Sequence, residues 1–399
     1  MPEPDLTASD ARTYLDHAAT TPLRPEARDA LLAHLGAPGN PASLHGAGRA
    51  ARRVLEESRE SVAESLGCRP SEVFFTSGGT ESDNLAVKGM FWTRHAADDR
   101  RRRVLVSAVE HHAVLHAALW LGQHAGAEVE LLPVDHAGRV EVAALAEALA
   151  TPESVALVSV MWANNETGVL QPVEEVARLC HEAGVPFHTD AVQAVGAVPV
   201  DVTAADVDLL TATGHKVGGP HGAGVLVARR GVVPTALLHG GGQERDLRSG
   251  TVGVPSVAGL AAAFEIAVKE QPESATRLAH LRDGLVAGVR ELVPGAVLNG
   301  AVAARLPGIA SIGFPGCEGD SLLMLLDARG VEVSTGSACS AGVPQPSHVL
   351  LAAGQDELAA RSTLRFSLGH TSTEADVAAV LAAIGPVAER AGAARRVRR

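Results

Sequence analysis

The chain has 399 residues, of which 46% are hydrophobic and 20% charged, and its net charge is −12. This length exceeds one compact core, so two domains are expected, and the ordinary composition argues against overall disorder. The acidic balance disfavours nucleic acid as a partner, and the lack of a long apolar run or a signal-peptide pattern predicts a cytoplasmic protein with no membrane association.

Short β-rich apolar runs alternate with helical patterns over the first two thirds of the chain. Because the runs are continuously apolar and are separated by helices, they predict a mostly parallel sheet covered on both faces. We therefore expect a large α/β domain over residues 13–257, with ligands at the carboxyl ends of its strands. The predicted strands cover residues 73–76, 104–109, 155–160, 185–188, 207–210 and 224–228, and helical patterns cover 140–150 and 173–181.

The pattern changes after about residue 255. A long helical stretch over 256–290 is followed by short strand patterns at 310–314 and 363–368. This indicates a second, smaller α+β domain over 258–390, joined by the N-terminal segment 1–23. The basic tail, 391–399, is expected to be disordered.

The four cysteines have no paired spacing, which predicts thiols in a reducing compartment and no structural zinc site. Cys68, Cys180 and Cys317 are interpreted as structural. Cys339 differs, because it lies in a run of small residues over 333–344 that is typical of a mobile loop. On its own this setting leaves a nucleophile and a structural thiol equally open.

A glycine turn lies between the first predicted strand and the helical pattern after it. Gly78 and Gly79 allow close backbone approach, Thr80 offers a hydroxyl, and the helix N-terminus offers amides and partial positive charge. This arrangement is typical of a phosphate site, and an ordinary helix cap without a ligand is the alternative.

Two reactive side chains follow later strand patterns: Asp190 and Lys216. An amine whose charge is disfavoured by desolvation has a lowered pKa and attacks a carbonyl to form a Schiff base. A lysine for an aldehyde and an aspartate for a pyridinium nitrogen are what a pyridoxal phosphate site needs most. His111 is placed to lie on the ring, although such a histidine is often structural, and Gln193 is placed to reach the ring hydroxyl.

A series of motifs in chain order carries a family resemblance. The chain resembles the class V aminotransferase superfamily and, within it, the cysteine desulfurases of the NifS/IscS type (group I). The resemblance implies a fold-type I enzyme that depends on pyridoxal 5′-phosphate, with a seven-stranded, mostly parallel sheet and a smaller C-terminal domain. The motifs lie at 14–22, 39–43, 239–251, 337–340 and 365–369 and around Thr80, His111, Asn165, Asp190, Gln193 and Lys216.

The same resemblance implies a role for each matched residue. Lys216 carries the cofactor, His111 stacks on its ring and Asp190 holds its ring nitrogen. The other implied cofactor contacts are Gly79, Thr80, Thr213 and His215 to the phosphate, Thr251 to the phosphate from the neighbouring subunit of a homodimer, and Asn165 and Gln193 to the ring oxygen.

The implied substrate is L-cysteine. Arg365 holds its carboxylate, as a guanidinium fork is suited to do, and Asn40 and Asn165 are further substrate contacts. The Cys339 thiolate takes the sulfur as a persulfide, L-alanine leaves, and the sulfur passes to an acceptor protein, either an iron–sulfur scaffold or a tRNA-thiolating enzyme.

Departures from the family pattern are small: Thr213 and Thr335 stand where serine is common, and Ala341 where another serine is common. Ala341 leaves the chemistry intact and bears on the choice of partner. A selenocysteine lyase, another class V enzyme, or an adaptor without activity are the alternatives. The presence of Cys339 argues against another class V enzyme. The retention of both Lys216 and Cys339 argues against an adaptor without activity.

Overall fold

A computed structural model of the protein describes residues 12–336 and 345–397, with side chains to residue 393. The described residues divide into two compact units, the larger formed by residues 20–164 and 169–273 and the smaller by the rest. Within these ranges, no helix is both long and apolar enough to cross a lipid bilayer.

The elements alternate as the sequence indicates. The strands are β1 (Thr13–Tyr14), β2 (Val73–Thr76), β3 (Arg103–Ser107), β4 (Glu128–Leu132), β5 (Val155–Ser159), β6 (Phe187–Asp190), β7 (Leu209–Thr213), β8 (Gly224–Ala228), β9 (Val297–Leu298), β10 (Ile309–Gly313), β11 (Val331–Glu332) and β12 (Thr363–Ser367). The helices are α1 (Pro25–Leu35), α2 (Gly46–Leu66), α3 (Gly79–Ala97), α4 (His112–His124), α5 (Val142–Ala148), α6 (Val173–Glu182), α7 (Val254–Leu292), α8 (Gly319–Asp327), α9 (His348–Ala352), α10 (Glu357–Arg361) and α11 (Glu374–Val397).

Seven strands of the larger unit form one sheet in the order β2-β8-β7-β6-β5-β3-β4. Strand β8 is antiparallel to both of its neighbours, and the other neighbouring pairs are parallel. Every residue of β5, β6, β7 and β8 is buried, as expected for strands covered by helices. The predicted α/β class with a mostly parallel sheet is confirmed, and the carboxyl ends of β6 and β7 carry the candidate site.

Strand β4 was not predicted from the sequence. It lies at the edge of the sheet, where β3 is its one neighbour among the described strands, and four of its five residues are at least partly exposed. Its sequence therefore alternates Glu128 and Glu130 with apolar residues, and the continuous apolar pattern of a central strand is missing.

The smaller unit holds an antiparallel sheet in the order β12-β10-β9 and a parallel pair formed by β1 and β11. Its core is apolar and joins side chains of β10, β12, α8 and α11, including Ile312, Phe366, Leu322 and Val380. This confirms a smaller α+β unit. The predicted boundary at 257/258 falls within α7, whose residues up to Glu273 belong to the larger unit, and the domain bounds stay a prediction.

Candidate active site

The glycine turn between β2 and α3 depends on glycine for its backbone conformation and for its close approach to neighbouring strands. Gly78 has φ 155° and ψ 179°, a conformation open essentially to glycine alone. A Cβ on Gly224 of the neighbouring strand would lie 2.4 Å from the Cα of Gly78, and one on Gly79 would lie 3.0 Å from Cγ2 of Val192 and 3.9 Å from Cβ of Thr213. The turn therefore brings the amides at the start of α3 to the end of β7, the arrangement of an anion site.

Glu81, in the first turn of α3, would repel a phosphate if its charge were unbalanced. It accepts hydrogen bonds from the Ser77 amide and from Nε of Arg248, each at 2.8 Å. Burial raises the pKa of Glu81, but these hydrogen bonds outweigh it and hold the pKa below its usual value. Arg248 thus neutralises Glu81 and ties the segment that carries Thr251 to the start of α3.

A left-handed turn stands in the same segment. Glu244, Arg245 and Asp246 have φ values of 46°, 56° and 65°, which cost energy for residues with a Cβ. Both carboxylate oxygens of Glu244 bind the guanidinium of Arg59 at 2.8 Å, and one of them also accepts from the Phe75 amide at 2.8 Å. This buried pair offsets the strain and fixes the turn beside β2.

Asp190 ends β6 and is 5% exposed. Its Oδ1 accepts from the Val192 amide at 2.9 Å. Burial raises its pKa to about 6, against the opposing effects of that amide and of the Lys216 charge. A buried carboxylate is stabilised by a cation that faces it, and a protonated pyridine nitrogen would be such a cation.

His111 lies close to Asp190. One ring nitrogen of His111 and one oxygen each of Asp83 and Asp190 lie within 4.8 Å of one another. His111 also caps α4, because its Nδ1 accepts from the Ala113 amide at 3.2 Å. A neutral ring that accepts at Nδ1 carries its proton on Nε2.

Lys216 is half-buried at the end of a turn that directly follows β7. Its charge lowers the pKa of Asp190, so the amine and the carboxylate act on each other. Burial, followed by the charges of Lys216 and His221, lowers the pKa of the adjacent His215 to about 4. His215 is therefore neutral at pH 7 and would contact a phosphate as a hydrogen-bond partner.

Three further predicted cofactor contacts and one predicted substrate contact, Asn40, differ in exposure. Gln193 is half-buried in the loop after β6, whereas Thr80 and Thr251 are exposed. Asn40 is exposed as well, and its Oδ1 accepts from the Ala42 amide at 2.9 Å. The roles assigned to these four residues stay predictions.

The smaller unit contains Arg365, buried in β12 at 5% exposure. Its Nη2 donates to Oδ1 of Asp16 at 2.7 Å, and its Nη1 donates to the carbonyl of Asn165 at 3.0 Å. Nε has no hydrogen-bond partner within the described ranges. The guanidinium is thus oriented from two sides, by Asp16 and by Asn165.

Cys339 lies outside the described residues, which stop at residue 336 and resume at 345. Described residues on both sides lie beside Glu166. A Cβ on Gly336 would lie 3.6 Å from Oε2 of Glu166 and 3.7 Å from Cβ of Arg365, and Ser347 donates to Oε2 of Glu166 at 2.5 Å.

Three buried polar residues near Asp190 were missed by the sequence analysis: Asp83, Glu110 and His188, which are 1%, 0% and 0% exposed. A signal for Asp83 existed, because it precedes the buried Val87 and Met90 at helical spacing on α3. Glu110 follows β3 and His188 lies within β6, and neither carries a comparable periodic signal.

Comparison with known proteins identifies the class. The model of the aminotransferase class-V family matches residues 13–380, and the chain belongs to this family. Residues of the larger unit fit pyridoxal 5′-phosphate, the cofactor of the family: the glycine turn presents the amides at the start of α3, where a Cβ on Gly79 would lie 3.0 Å from Val192, and the buried Asp190 is influenced by the Lys216 charge.

Similar proteins show to which group within the aminotransferase class-V family the chain belongs. An IscS-like cysteine desulfurase of Mycobacterium tuberculosis is 55% identical over 95% of this chain and 96% of its own length. The cysteine desulfurase IscS of Methanosarcina thermophila is 42% identical over 97% and 94%. A solved NifS-like protein superimposes with a TM-score of 0.88 at 37% identity, covering 95% of this chain and all of its own. Within its family, the chain therefore belongs with the cysteine desulfurases of the IscS and NifS type.

Proposed function

We propose that this protein converts L-cysteine to L-alanine and passes the sulfur, through a persulfide on Cys339, to an acceptor protein. The observation that carries the proposal is the meeting of Asp190, His111 and the Lys216 charge at the carboxyl ends of β6 and β7, beside the glycine turn. The similarity to cysteine desulfurases at 42–55% identity supports it, as does a solved structural relative, SspA in complex with cysteine, at 31% identity and a TM-score of 0.77.

The cofactor, when bound, supplies an electron sink for the carbon that loses its proton. Lys216 would hold its aldehyde covalently, and Gly79, Thr80, Thr213 and His215 would hold its phosphate. Asp190 would keep a proton at the ring nitrogen, and Gln193 and Asn165 would donate to the ring oxygen. His111 would lie on the ring face.

The chain's own groups handle the substrate. Arg365 would bind the carboxylate through its fork, and Asn40 and Asn165 would be further contacts. Lys216 would accept the proton from Cα. The Cys339 thiolate would attack the substrate sulfur; the C–S bond breaks, its electron pair stays with Cβ, and protonation of Cβ together with return of a proton to Cα gives alanine.

The described cysteines are poor alternatives to Cys339 as the nucleophile. Burial raises the pKa of Cys68 to about 12 and raises that of Cys180 further, so both stay protonated thiols at pH 7. The Cys317 thiol is buried and donates to the Ala388 carbonyl at 3.5 Å.

The direct test is release of alanine and sulfide from L-cysteine by the purified holoenzyme, measured against Lys216→Ala. Borohydride reduction should fix the cofactor to the wild-type chain and leave Lys216→Ala unmodified. Selenocysteine in place of cysteine separates the proposed reaction from that of a selenocysteine lyase. Failure to form alanine from cysteine with a full complement of cofactor would refute the function.

A homodimer is part of the proposal, because Thr251 is expected to complete the phosphate site of a second subunit. Mixing Thr251→Ala with Lys216→Ala chains tests this. If Thr251 acts across the interface, each heterodimer contains one intact site and the mixture regains activity that neither variant has. A mixture with only the sum of the two variant activities would exclude the shared site.

The acceptor is proposed to be an iron–sulfur scaffold or a tRNA-thiolating enzyme, and a cytoplasmic location fits the free thiols of Cys68, Cys180 and Cys317. Transfer of radioactive sulfur from labelled cysteine to each class of acceptor, with Cys339→Ser as the control, distinguishes the two.

A further inference from the structure

Asp83 is a buried acid in the first half of α3 that the reaction described above does not use. It is 1% exposed, and its Oδ1 has no hydrogen-bond partner within residues 12–336 and 345–393. Leaving a charged oxygen unbonded in such a place is strongly unfavourable. The side chain therefore needs either a cation or a proton.

The neighbouring imidazole of His188 does not supply a cation. Nε2 of His188, on β6, lies 3.7 Å from Oδ1 of Asp83, beyond hydrogen-bonding distance. That nitrogen contacts the hydroxyl of Thr211 at 3.1 Å, and Nδ1 contacts Ser159 at 2.9 Å. Burial lowers the pKa of His188 to about 3, so this imidazole is neutral at pH 7.

Two more acids face Asp83 from neighbouring elements. Asp190, at the end of β6, has an oxygen within 4.8 Å, together with a ring nitrogen of His111. Glu110 precedes α4 and is also fully buried. Burial, and then the charges of Asp190 and Glu110, raise the pKa of Asp83 well above its usual range, against a hydrogen bond with Thr211.

The acids in this cluster do not compete equally for the negative charge. The charge of Lys216 and the Val192 amide both favour ionised Asp190, whereas Asp83 has neither. Two carboxyl groups at this separation in a buried site do not ionise together. Ionisation therefore falls to Asp190, and the proton stays on Asp83.

We propose that Asp83 is a positioning residue that acts as a neutral carboxylic acid, its O–H supporting the Asp190 carboxylate. The proposal rests on the role proposed for Asp190 at the ring nitrogen and adds the group that keeps the negative charge there. The role needs a hydrogen-bond donor and no charge. We therefore expect Asp83→Asn to preserve the role and Asp83→Leu to abolish it.

Infrared spectra of the holoenzyme at neutral pH test the proton directly. The wild type should show the carbonyl stretch of a buried carboxylic acid, sensitive to exchange into D₂O, that Asp83→Asn lacks. Asp98→Asn is the matched control and should remove no acid band. Asp98 is ionised at neutral pH, because its pKa is lowered to about 2, mainly by hydrogen bonds from Arg100. An acid band that is identical in wild type and Asp83→Asn would overturn the proposal.

The ¹⁵N shift of the ring nitrogen, measured with ¹⁵N-labelled cofactor across a pH series, tests the consequence. Asp83→Asn should keep the wild-type midpoint for loss of the ring proton, and Asp83→Leu should shift that midpoint upward, because a carboxylate that loses a neighbouring donor becomes more basic and holds the proton it shares with the ring more tightly. An equal change in both variants would show that Asp83 acts through a charge, against the proposal. If Asp83→Leu does not fold, the infrared result for Asp83→Asn decides alone.

The same measurement separates this proposal from the role of Asp190. If Asp190→Ala keeps a protonated ring nitrogen, the role of Asp190 is wrong and the supporting role of Asp83 falls with it. The acid band of Asp83 would remain as an independent result. If Asp190→Ala loses the ring proton and Asp83→Asn does not, both assignments stand.

Discussion

Asp16 and Arg365 form a hydrogen-bonded ion pair of 2.7 Å between Oδ1 and Nη2, with side-chain exposures of 23% and 6%. Asp16 belongs to the N-terminal segment, and Arg365 is in β12. A substrate carboxylate at Arg365 would therefore meet a guanidinium whose plane is already fixed, which lowers the entropic cost of binding.

Replacing Asp16 with alanine should release that guanidinium. We expect KM for L-cysteine to rise about tenfold, because a hydrogen bond to a charged group is lost, with little change in kcat. Asp16→Asn, which keeps an acceptor oxygen, is the control and should stay close to wild type. Steady-state kinetics decide, and an unchanged KM in Asp16→Ala would remove Asp16 from substrate binding.

Arg59 and Glu244 should contribute more to stability than any exposed pair on α2. Their side chains are 3% and 2% exposed, so Arg59→Ala leaves a buried carboxylate without its partner and should lower the free energy of unfolding by about 3 kcal/mol. The control is Arg53→Ala, which breaks an exposed pair with Glu57 and should leave the unfolding midpoint nearly unchanged. Equal midpoints for the two variants in urea would contradict this assignment.

The close approach of Gly224 to Gly78 predicts a loss of cofactor affinity in Gly224→Ala. The new Cβ would lie 2.4 Å from Cα of Gly78, and the turn at the start of α3 would have to move. Gly284→Ala in α7 is the control, since nothing lies within 4 Å of its Cβ position and alanine favours a helix. Equilibrium binding of the cofactor distinguishes them, and equal affinities would show that the turn does not hold it.

Asp190 should make the cofactor-free protein less stable as pH rises. Its folded pKa, about 6, is above the ordinary value of 3.8, so the folded state binds the proton more tightly and loses that advantage as pH rises through about 6. Between about pH 5 and about pH 7.5 the loss corresponds to about 1.4 kcal/mol. Asp190→Asn should lack this contribution in denaturant unfolding, and identical pH profiles would contradict it.

Most of the sheet could be predicted from the sequence because central strands are continuously apolar. The predicted bounds of β2 and β8 match the structure, and those of β5 end one residue beyond it. Strand β4 was missed because its exposed edge carries Glu128 and Glu130. The left-handed turn at 244–246 could not be predicted, because it contains no glycine. The long-range pairing of Arg59 with Glu244 explains it.

In the candidate site, too, some residues could be located from the sequence and others could not. The positions of Lys216, Asp190 and the glycine turn could be predicted because they lie at or just after the ends of strands that meet at one edge of the sheet. Their roles stay predictions. Asp83 could not be assigned a role, because its importance depends on the packing of α3 against β6, which brings it within 4.8 Å of Asp190.

The central claim is that Cys339 receives the sulfur of L-cysteine as a persulfide. Mass spectrometry of the holoenzyme after brief exposure to L-cysteine tests this claim most directly. We predict one added sulfur on the peptide that contains Cys339, and for Cys339→Ser no added sulfur and a loss of alanine formation of at least about 100-fold, with the cofactor still bound. Cys68→Ser should behave as wild type. Alanine formation at the wild-type rate by Cys339→Ser would contradict the account.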